Sequence, residues 1–318
     1  LLLAATSDIE YECLPYPLKS MCRLDHIYYH PGEPIAFPTG YDHYQIVSHL
    51  SQKQVESKVT ILDTFLYAAM HRPSRIELAY VQLESLILPP ELHLGNFAYN
   101  RLSSVTIEAG RNYQISYLDL EGNNFKDIAF VSRLVNLEVL NIGRNSISTI
   151  PESAFAPLTK LKYLYLQVNS FKSIPWTELP RTMVHLDCKY TRVASAEFTN
   201  VSLPSLEYLN LQYNDLTTIN VTALLLVAPR LKEAHLFSSG MTEHEIDQIK
   251  VTLTSNNISF YDFQWFAKSC YDGFEDNFGR CIQRQVGTGM AILLSGVIIG
   301  MAALLGYIVV LTFRHMNR

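Results

Sequence analysis

The sequence is poor in charge and contains no cluster of basic residues. Only 17% of its 318 residues are charged, and 25 Lys and Arg against 30 Asp and Glu give a formal net charge of −5. Since a nucleic-acid backbone requires clustered cationic side chains, we expect no nucleic-acid partner. No H-E-x-x-H, G-x-S-x-G or Gly-rich phosphate motif occurs, and the ten His residues show no metal-ligand spacing. We therefore expect no enzyme, no metal site and no cofactor.

Cysteine is also scarce, which excludes a small domain held together mainly by disulfides. Four of the five cysteines form two short-range pairs, Cys13 with Cys22 and Cys270 with Cys281. In an oxidising compartment each pair would close a small loop; this is the simplest connectivity, although the sequence alone does not establish it. Cys188 occupies a Leu position of a predicted strand. We expect it to be a buried free thiol, because pairing between chains would require it to face outward.

One long stretch has no charge at all. Met290 to Phe313 would span about 36 Å as a helix, which exceeds the roughly 30 Å of a bilayer core. We predict a transmembrane helix at 286–313 and a cytoplasmic stub at 314–318. The apolar residues 1–7 are typical of the end of a signal peptide, with a frayed apolar terminus as the alternative. These features predict a single-pass type I protein of the plasma membrane with an extracellular ectodomain.

Two further patterns concern the predicted outer part and the predicted span. Asn200, Asn220 and Asn257 each begin an Asn-x-Ser/Thr sequence and are predicted glycosylation sites on the outer side. Gly296 and Gly300 lie four residues apart in the predicted span, where small residues allow two helices to pack closely and form a dimer. Gly is common in such helices, so the spacing alone does not establish a dimer.

The middle of the chain repeats the pattern L-x-x-L-x-L-x-x-N-x-L. Six units are found, beginning at Ile115, Leu137, Leu161, Met183, Leu206 and Leu231. Their starts are 22, 24, 22, 23 and 25 residues apart, and this pattern resembles leucine-rich repeats. The resemblance implies an α/β solenoid, in which each coil adds one strand to a curved parallel sheet on the concave face. We expect the Asn of the pattern to bond neighbouring coils, a structural role for Asn123, Asn145, Asn169 and Asn214.

The repeats are expected to lie between two caps. We assign 8–58 to an irregular N-terminal cap, 59–241 to the repeats, and 242–285 to a C-terminal cap. Thr242 followed by Glu245 is a capping box that predicts the start of a helix.

The register before Ile115 is less regular. Residues 76–83 resemble one early repeat, and 102–107 resemble another that begins only 13 residues before Ile115. The latter is either an abbreviated repeat or an error of register. Residues 59–61 are a still earlier candidate strand.

The candidate binding site is the set of strand side chains that alternate with the inward Leu residues. Tyr is frequent there, and it offers a large contact area with few rotatable bonds and a polar tip. The alternative is that these side chains only solvate an exposed sheet. The predicted ligand-binding residues are Tyr117, Asp119, Asn141, Tyr163, Tyr165, His185, Asp187, Tyr208, Asn210 and His235.

The repeats over 59–265, the flanking cysteines and the single C-terminal span are similar to those of extracellular leucine-rich-repeat proteins. Within these, the short irregular early repeats resemble the membrane-anchored subgroup of the mosquito leucine-rich immune family. The coiled coil of secreted members does not occur here. The resemblance implies that the protein recognises a protein ligand and has no catalytic residues. It also implies a role in innate immunity, with signalling through a co-receptor. The alternative is a structural or adhesive membrane protein.

Overall fold

The computed structural model describes most of the chain, namely residues 9–14, 20–50, 53–54, 56–261, 274–277 and 280–283. Several predicted features lie outside these residues: the signal remnant at 1–7, the span at 286–313, the stub at 314–318, Cys270, Gly296 and Gly300. Within the described part, no helix is both long enough and apolar enough to cross a membrane.

The described residues contain twenty short strands. In chain order they are β1 (Ile9–Glu10), β2 (Met21–Leu24), β3 (Tyr28–Tyr29), β4 (Ile35–Ala36), β5 (His43–Ile46), β6 (His49–Leu50), β7 (Lys53–Gln54), β8 (Lys58–Val59), β9 (Ile61–Leu62), β10 (Arg75–Glu77), β11 (Ser85–Leu86), β12 (Leu94–Asn96), β13 (Tyr117–Asp119), β14 (Val139–Asn141), β15 (Tyr163–Tyr165), β16 (His185–Asp187), β17 (Tyr208–Asn210), β18 (Glu233–His235), β19 (Phe274–Asn277) and β20 (Arg280–Gln283).

Helices in the same residues are few and lie between strands. They are α1 (Thr64–Ala69), α2 (Val221–Val227) and α3 (Glu243–Ser255), with 3₁₀ turns at Ala129–Arg133 and Trp176–Glu178. Each α-helix begins with a side chain that accepts a hydrogen bond from a free main-chain N–H: Asp63 for α1, Asn220 for α2 and Thr242 for α3. The helix predicted to start after Thr242 is therefore present.

One parallel sheet of ten strands organises the first compact unit, Leu1–Phe260. Its order is β18-β17-β16-β15-β14-β13-β12-β10-β5-β2. Adjacent strands pair in register, so that Leu118 lies beside Leu140 and Leu140 beside Leu164. Because side chains alternate along a strand, the central residue of each points into the coil and is buried. These residues are Cys22, Tyr44, Ile76, Gly95, Leu118, Leu140, Leu164, Leu186, Leu209 and Ala234. The predicted parallel-sheet solenoid is thus confirmed.

The N-terminal part of the sheet differs from the expected boundaries and register. Strands β2 and β5 belong to the main sheet, although they lie within the region 8–58 that we expected to be an irregular cap. The repeat before Ile115 starts at Leu92, places Gly95 in its strand and ends at Leu102. Leu102 is therefore the last position of a full coil, and no abbreviated repeat begins there.

Buried and half-buried Asn side chains join neighbouring coils. The Oδ1 atom of Asn123 accepts from Leu102 N at 3.0 Å, and its Nδ2 donates to Phe97 O and Leu120 O, both at 3.0 Å. The same pattern recurs at Asn145, at Asn169, at Asn214 and at Asn100, which sequence reasoning missed. Such bonds satisfy main-chain groups that turn away from the sheet inside the coil, where water has no access.

Both edge strands of the sheet have partners. A disulfide joins Cys13 to Cys22, and Leu14 N donates to Arg23 O at 2.7 Å, which covers the outer edge of β2. At the opposite edge, Ala234 N donates to Ser259 O at 2.9 Å, so a short extended segment covers β18. Pairing of this kind removes the exposed donors and acceptors that promote edge-to-edge aggregation.

The second unit, Tyr261–Arg318, contributes one described feature. Strands β19 and β20 pair as an antiparallel hairpin, with Asp276 beside Cys281. The predicted partner of Cys281 lies outside the described residues.

Candidate functional site

The solvent side of the main sheet, here called the sheet face, carries two columns of side chains. The first column precedes the buried central residue of each strand, and the second follows it. In strands β13 to β18 the first column consists of Tyr117, Val139, Tyr163, His185, Tyr208 and Glu233. The second column consists of Asp119, Asn141, Tyr165, Asp187, Asn210 and His235. All ten predicted ligand-binding residues therefore lie on one surface.

The Asp and Asn residues of the second column bond the main chain next to them. In each case Oδ1 accepts from the N–H two residues later, at 2.9 to 3.1 Å. The donors to Asp119, Asn141, Asp187 and Asn210 are the N–H groups of Glu121, Gly143, Lys189 and Gln212. This is the ordinary way in which Asp and Asn stabilise a turn at the end of a strand. One polar atom of each of these four predicted binding residues is thus used to hold the fold.

The remaining atoms of these side chains also have partners. Asn141 Nδ2 lies 3.3 Å from Asp119 Oδ2 and 3.2 Å from Glu121 Oε2, and donates to both. Burial raises the pKa of the Asp119 carboxyl, which the hydrogen bonds from Glu121 N and Asn141 partly offset. Asp187 and Asn210 are only 7% and 4% exposed. These four residues therefore shape the sheet face more than they offer atoms to a ligand.

The aromatic residues of the face form one continuous group across β15 to β18. We call Tyr163, Tyr165, His185, Tyr208 and His235 the ring cluster. The rings of His185 and Tyr208 are parallel, with centroids 4.1 Å apart, and Tyr165 lies 4.8 Å from His185 on the other side. His235 meets Tyr208 edge-on at 5.4 Å. Rings that pack on each other in this way restrict each other's rotamers.

Exposure within the ring cluster is uneven. Tyr163 is 38% exposed, while Tyr165, His185 and Tyr208 are half-buried. His235 is only 2% exposed, and its Nε2 lies 2.6 Å from Glu233 Oε1. The Tyr and His185 rings therefore form the exposed part of the ring cluster, and His235 forms its buried part.

The position of His185 predicts a pH dependence of stability. Burial lowers the pKa of its imidazole, and the nearby Asp187 and Glu233 carboxylates only partly oppose this. The unfolded chain then binds the proton more readily, so unfolding becomes easier as pH falls from about 6.5 through the lower folded-state pKa. We expect the urea midpoint of unfolding to change less with pH in this window for His185→Gln than for the parent protein. An equal change in His244→Gln, which alters an exposed residue of α3, would contradict this assignment.

A polar group at the N-terminal end of the face was not predicted. Glu77 Oε1 lies 2.8 Å from His43 Nε2, and its Oε2 accepts from Gln45 Nε2 at 2.8 Å. The hydrogen bond from His43 lowers the pKa of the Glu77 carboxyl. Glu77 and Gln45 line a hollow of about 220 Å³ together with Arg23 and Asn96. Sequence reasoning missed the group because β5 has Tyr44 where the repeat pattern requires Leu.

The other predicted site residues lie away from the sheet face. Asn200, Asn220 and Asn257 are exposed, and none of them belongs to a strand. Cys188 is a free, fully buried thiol, and burial raises its pKa. In the described part of the chain, no group of three His, Cys, Asp or Glu residues is placed to hold a metal ion.

In-register parallel strands, with an Asn at the turn of successive coils, define a repeat solenoid whose sheet face is its broad accessible surface. A family model described as "Leucine rich repeat" matches residues 114–171. Osteomodulin from Bos taurus is 24% identical over 265 residues, which cover 74% of this chain and 60% of that protein. The fold, the family match and this similarity support a leucine-rich-repeat protein.

Two further similarities are more limited. The leucine-rich repeat-containing G-protein coupled receptor 5 of Rattus norvegicus is 30% identical over 126 residues, which cover 39% of this chain and 14% of the receptor. A solved structure, the functional domain of InlJ from Listeria monocytogenes, has a TM-score of 0.47 and 18% identity, covering 70% of this chain and 48% of that one. The chain thus spans about 60% of osteomodulin and a smaller share of these two.

Proposed function

We propose that this protein binds another protein through its sheet face, with the ring cluster at the centre of the contact. The observation that carries the proposal is the stack of Tyr165, His185 and Tyr208 across three strands. Aromatic side chains contribute much of the binding energy at protein interfaces, and rings already fixed by packing lose little entropy on binding. Tyr163 adds exposed aromatic area beside the stack.

Secretion or display at the cell surface is part of the proposal. The disulfide between Cys13 and Cys22 supports it, because such bonds persist in oxidising compartments. One relative is by name a receptor. The single span at 286–313, signalling through a co-receptor and a role in innate immunity extend the same proposal, as does a dimer formed through Gly296 and Gly300.

The proposal can be tested by screening the protein against a panel of secreted and surface proteins. For any partner found, we expect Tyr163→Ala and Tyr208→Ala to weaken binding by roughly tenfold or more, as at interface hot spots. Tyr208→Phe keeps the ring stack and should bind almost normally. Tyr28→Ala is the matched control, since Tyr28 is 47% exposed in β3, away from the ring cluster.

Two results would count against the proposal. Binding that survives both ring variants would place the contact elsewhere on the molecule. Binding only to further copies of the chain would favour the alternative, a structural or adhesive protein.

A further inference from the structure

Helix α2 leaves a large apolar side chain in water. Leu226 is 79% exposed, the highest value among the large hydrophobic side chains of the described residues, and Leu225 beside it is half-buried. The helix packs against α3, where Val251 is 62% exposed. Single exposed apolar residues are common, so this observation alone does not identify what covers the helix.

The residue that precedes α2 supplies a second, independent observation. Asn220 begins the sequence Asn220-Val221-Thr222, and both Asn220 and Thr222 are exposed. Its Oδ1 accepts from Ala223 N at 2.9 Å, which caps the helix. Within the described part of the chain, its Nδ2 has no hydrogen-bond partner. The amide nitrogen is therefore open to modification while the carbonyl oxygen is engaged.

We propose that Asn220 carries an N-linked glycan that covers the exposed apolar surface of α2. The inference rests on the secreted or surface location proposed above. The donor is an oligosaccharide linked through a diphosphate to a lipid. The Asn220 amide nitrogen forms a bond to the first sugar carbon, the bond from that carbon to the diphosphate oxygen breaks, and the amide nitrogen loses one proton. The electron pair of the broken bond leaves with the lipid diphosphate.

The helix cap survives this modification, because the product is still an amide with the same carbonyl oxygen. Leu226 lies about 9 Å along the helix from Asn220, within reach of a chain of several sugars. Thr222 is one turn before Leu226 on the same exposed side of α2. Asn220 lies between β17 and β18 in the sequence and does not belong to the sheet face. A glycan on Asn220 would therefore leave the ring cluster accessible.

The site can be tested on the full chain expressed through the secretory pathway of eukaryotic cells. Glycan removal in ¹⁸O water converts a modified Asn to labelled Asp, which peptide mass analysis detects. We expect Asn220 to be labelled in most molecules. Thr222→Ala should abolish the label at Asn220 while leaving the helix cap intact, and Thr217→Ala, at an exposed Thr outside the motif, should not.

Whether the glycan covers Leu226 can be measured separately, through self-association of the protein. We expect Thr222→Ala to increase self-association several-fold in sedimentation experiments, and the additional change Leu226→Ser to reverse this increase. An unlabelled Asn220 in secreted protein would overturn the proposal, and so would a Thr222→Ala variant that associates no more than the parent protein. Either failure would leave the proposed binding function untouched, since the ring-cluster variants test that function separately.

Discussion

Asn214→Ala is expected to destabilise the protein by about 4 kcal/mol, the largest loss for any single Asn of the coil-joining series. Its Oδ1 accepts from Thr191 N at 3.0 Å, Thr191 Oγ1 at 2.9 Å and Val193 N at 3.0 Å. Its Nδ2 donates to Cys188 O at 2.9 Å and to Leu211 O at 2.8 Å. Removal of the amide would leave several buried donors and acceptors without partners, each at a cost of about 1–3 kcal/mol before relaxation.

The reason for the size of this effect is the residue in the preceding coil. That coil has Thr191 where the pattern requires Asn, so Asn214 Oδ1 accepts two additional hydrogen bonds, from the N–H and the hydroxyl of Thr191. Asn169→Ala should lower the free energy of unfolding by less. The Asn169 side chain accepts from one main-chain N–H and donates to two carbonyls. Urea unfolding followed by circular dichroism measures both, with the exposed Asn124→Ala as the control. Equal losses for Asn169 and Asn214 would contradict this account.

Gly95→Leu is expected to destabilise the protein by about 3 kcal/mol, although it restores the residue that the repeat pattern favours. A Cβ atom on Gly95 would lie 2.5 Å from Phe97 Cε2 and 3.3 Å from Leu92 Cδ2. Both neighbours are fully buried, so the Phe97 ring already fills the space that Leu occupies in other coils. A larger side chain must therefore displace a ring inside a closely packed core.

The pair Gly95 and Phe97 should behave as one unit. We expect Phe97→Leu alone to leave a cavity, and the double change Gly95→Leu with Phe97→Leu to recover most of the stability lost by Gly95→Leu. Thermal and urea unfolding of the four proteins gives the coupling energy between the two positions. Additive effects would show that the ring does not take the place of the missing side chain.

Strands β13 to β18 could be predicted because five of them place Leu, and the last Ala, at the inward position with regular spacing. The same reasoning failed upstream, where Cys22, Tyr44 and Gly95 occupy that position. A Tyr or Cys can fill the core only when the neighbouring coils leave suitable space, and a Gly only when a neighbour supplies the missing volume. Such compensation depends on three-dimensional packing and leaves no periodic signal.

The placement of the candidate site residues could be predicted from the sequence, but their burial and ring packing could not. Alternation along the strands placed its ten residues on one surface, because side-chain direction follows directly from strand geometry. It did not reveal that Asp187, Asn210 and His235 are almost fully buried. Nor did it show that His185 and Tyr208 stack at 4.1 Å, since residues 23 positions apart meet only when two coils are in register. Binding by these residues stays a prediction.

The thiol of Cys188 lies in the interior between neighbouring coils and has no access to solvent. Because each coil contacts only its neighbours, a solenoid can open at one point while the rest stays folded. An alkylating reagent can therefore reach this sulfur only during such an opening. The protein thus contains, directly after β16, a natural reporter of local opening close to the strands that carry the ring cluster.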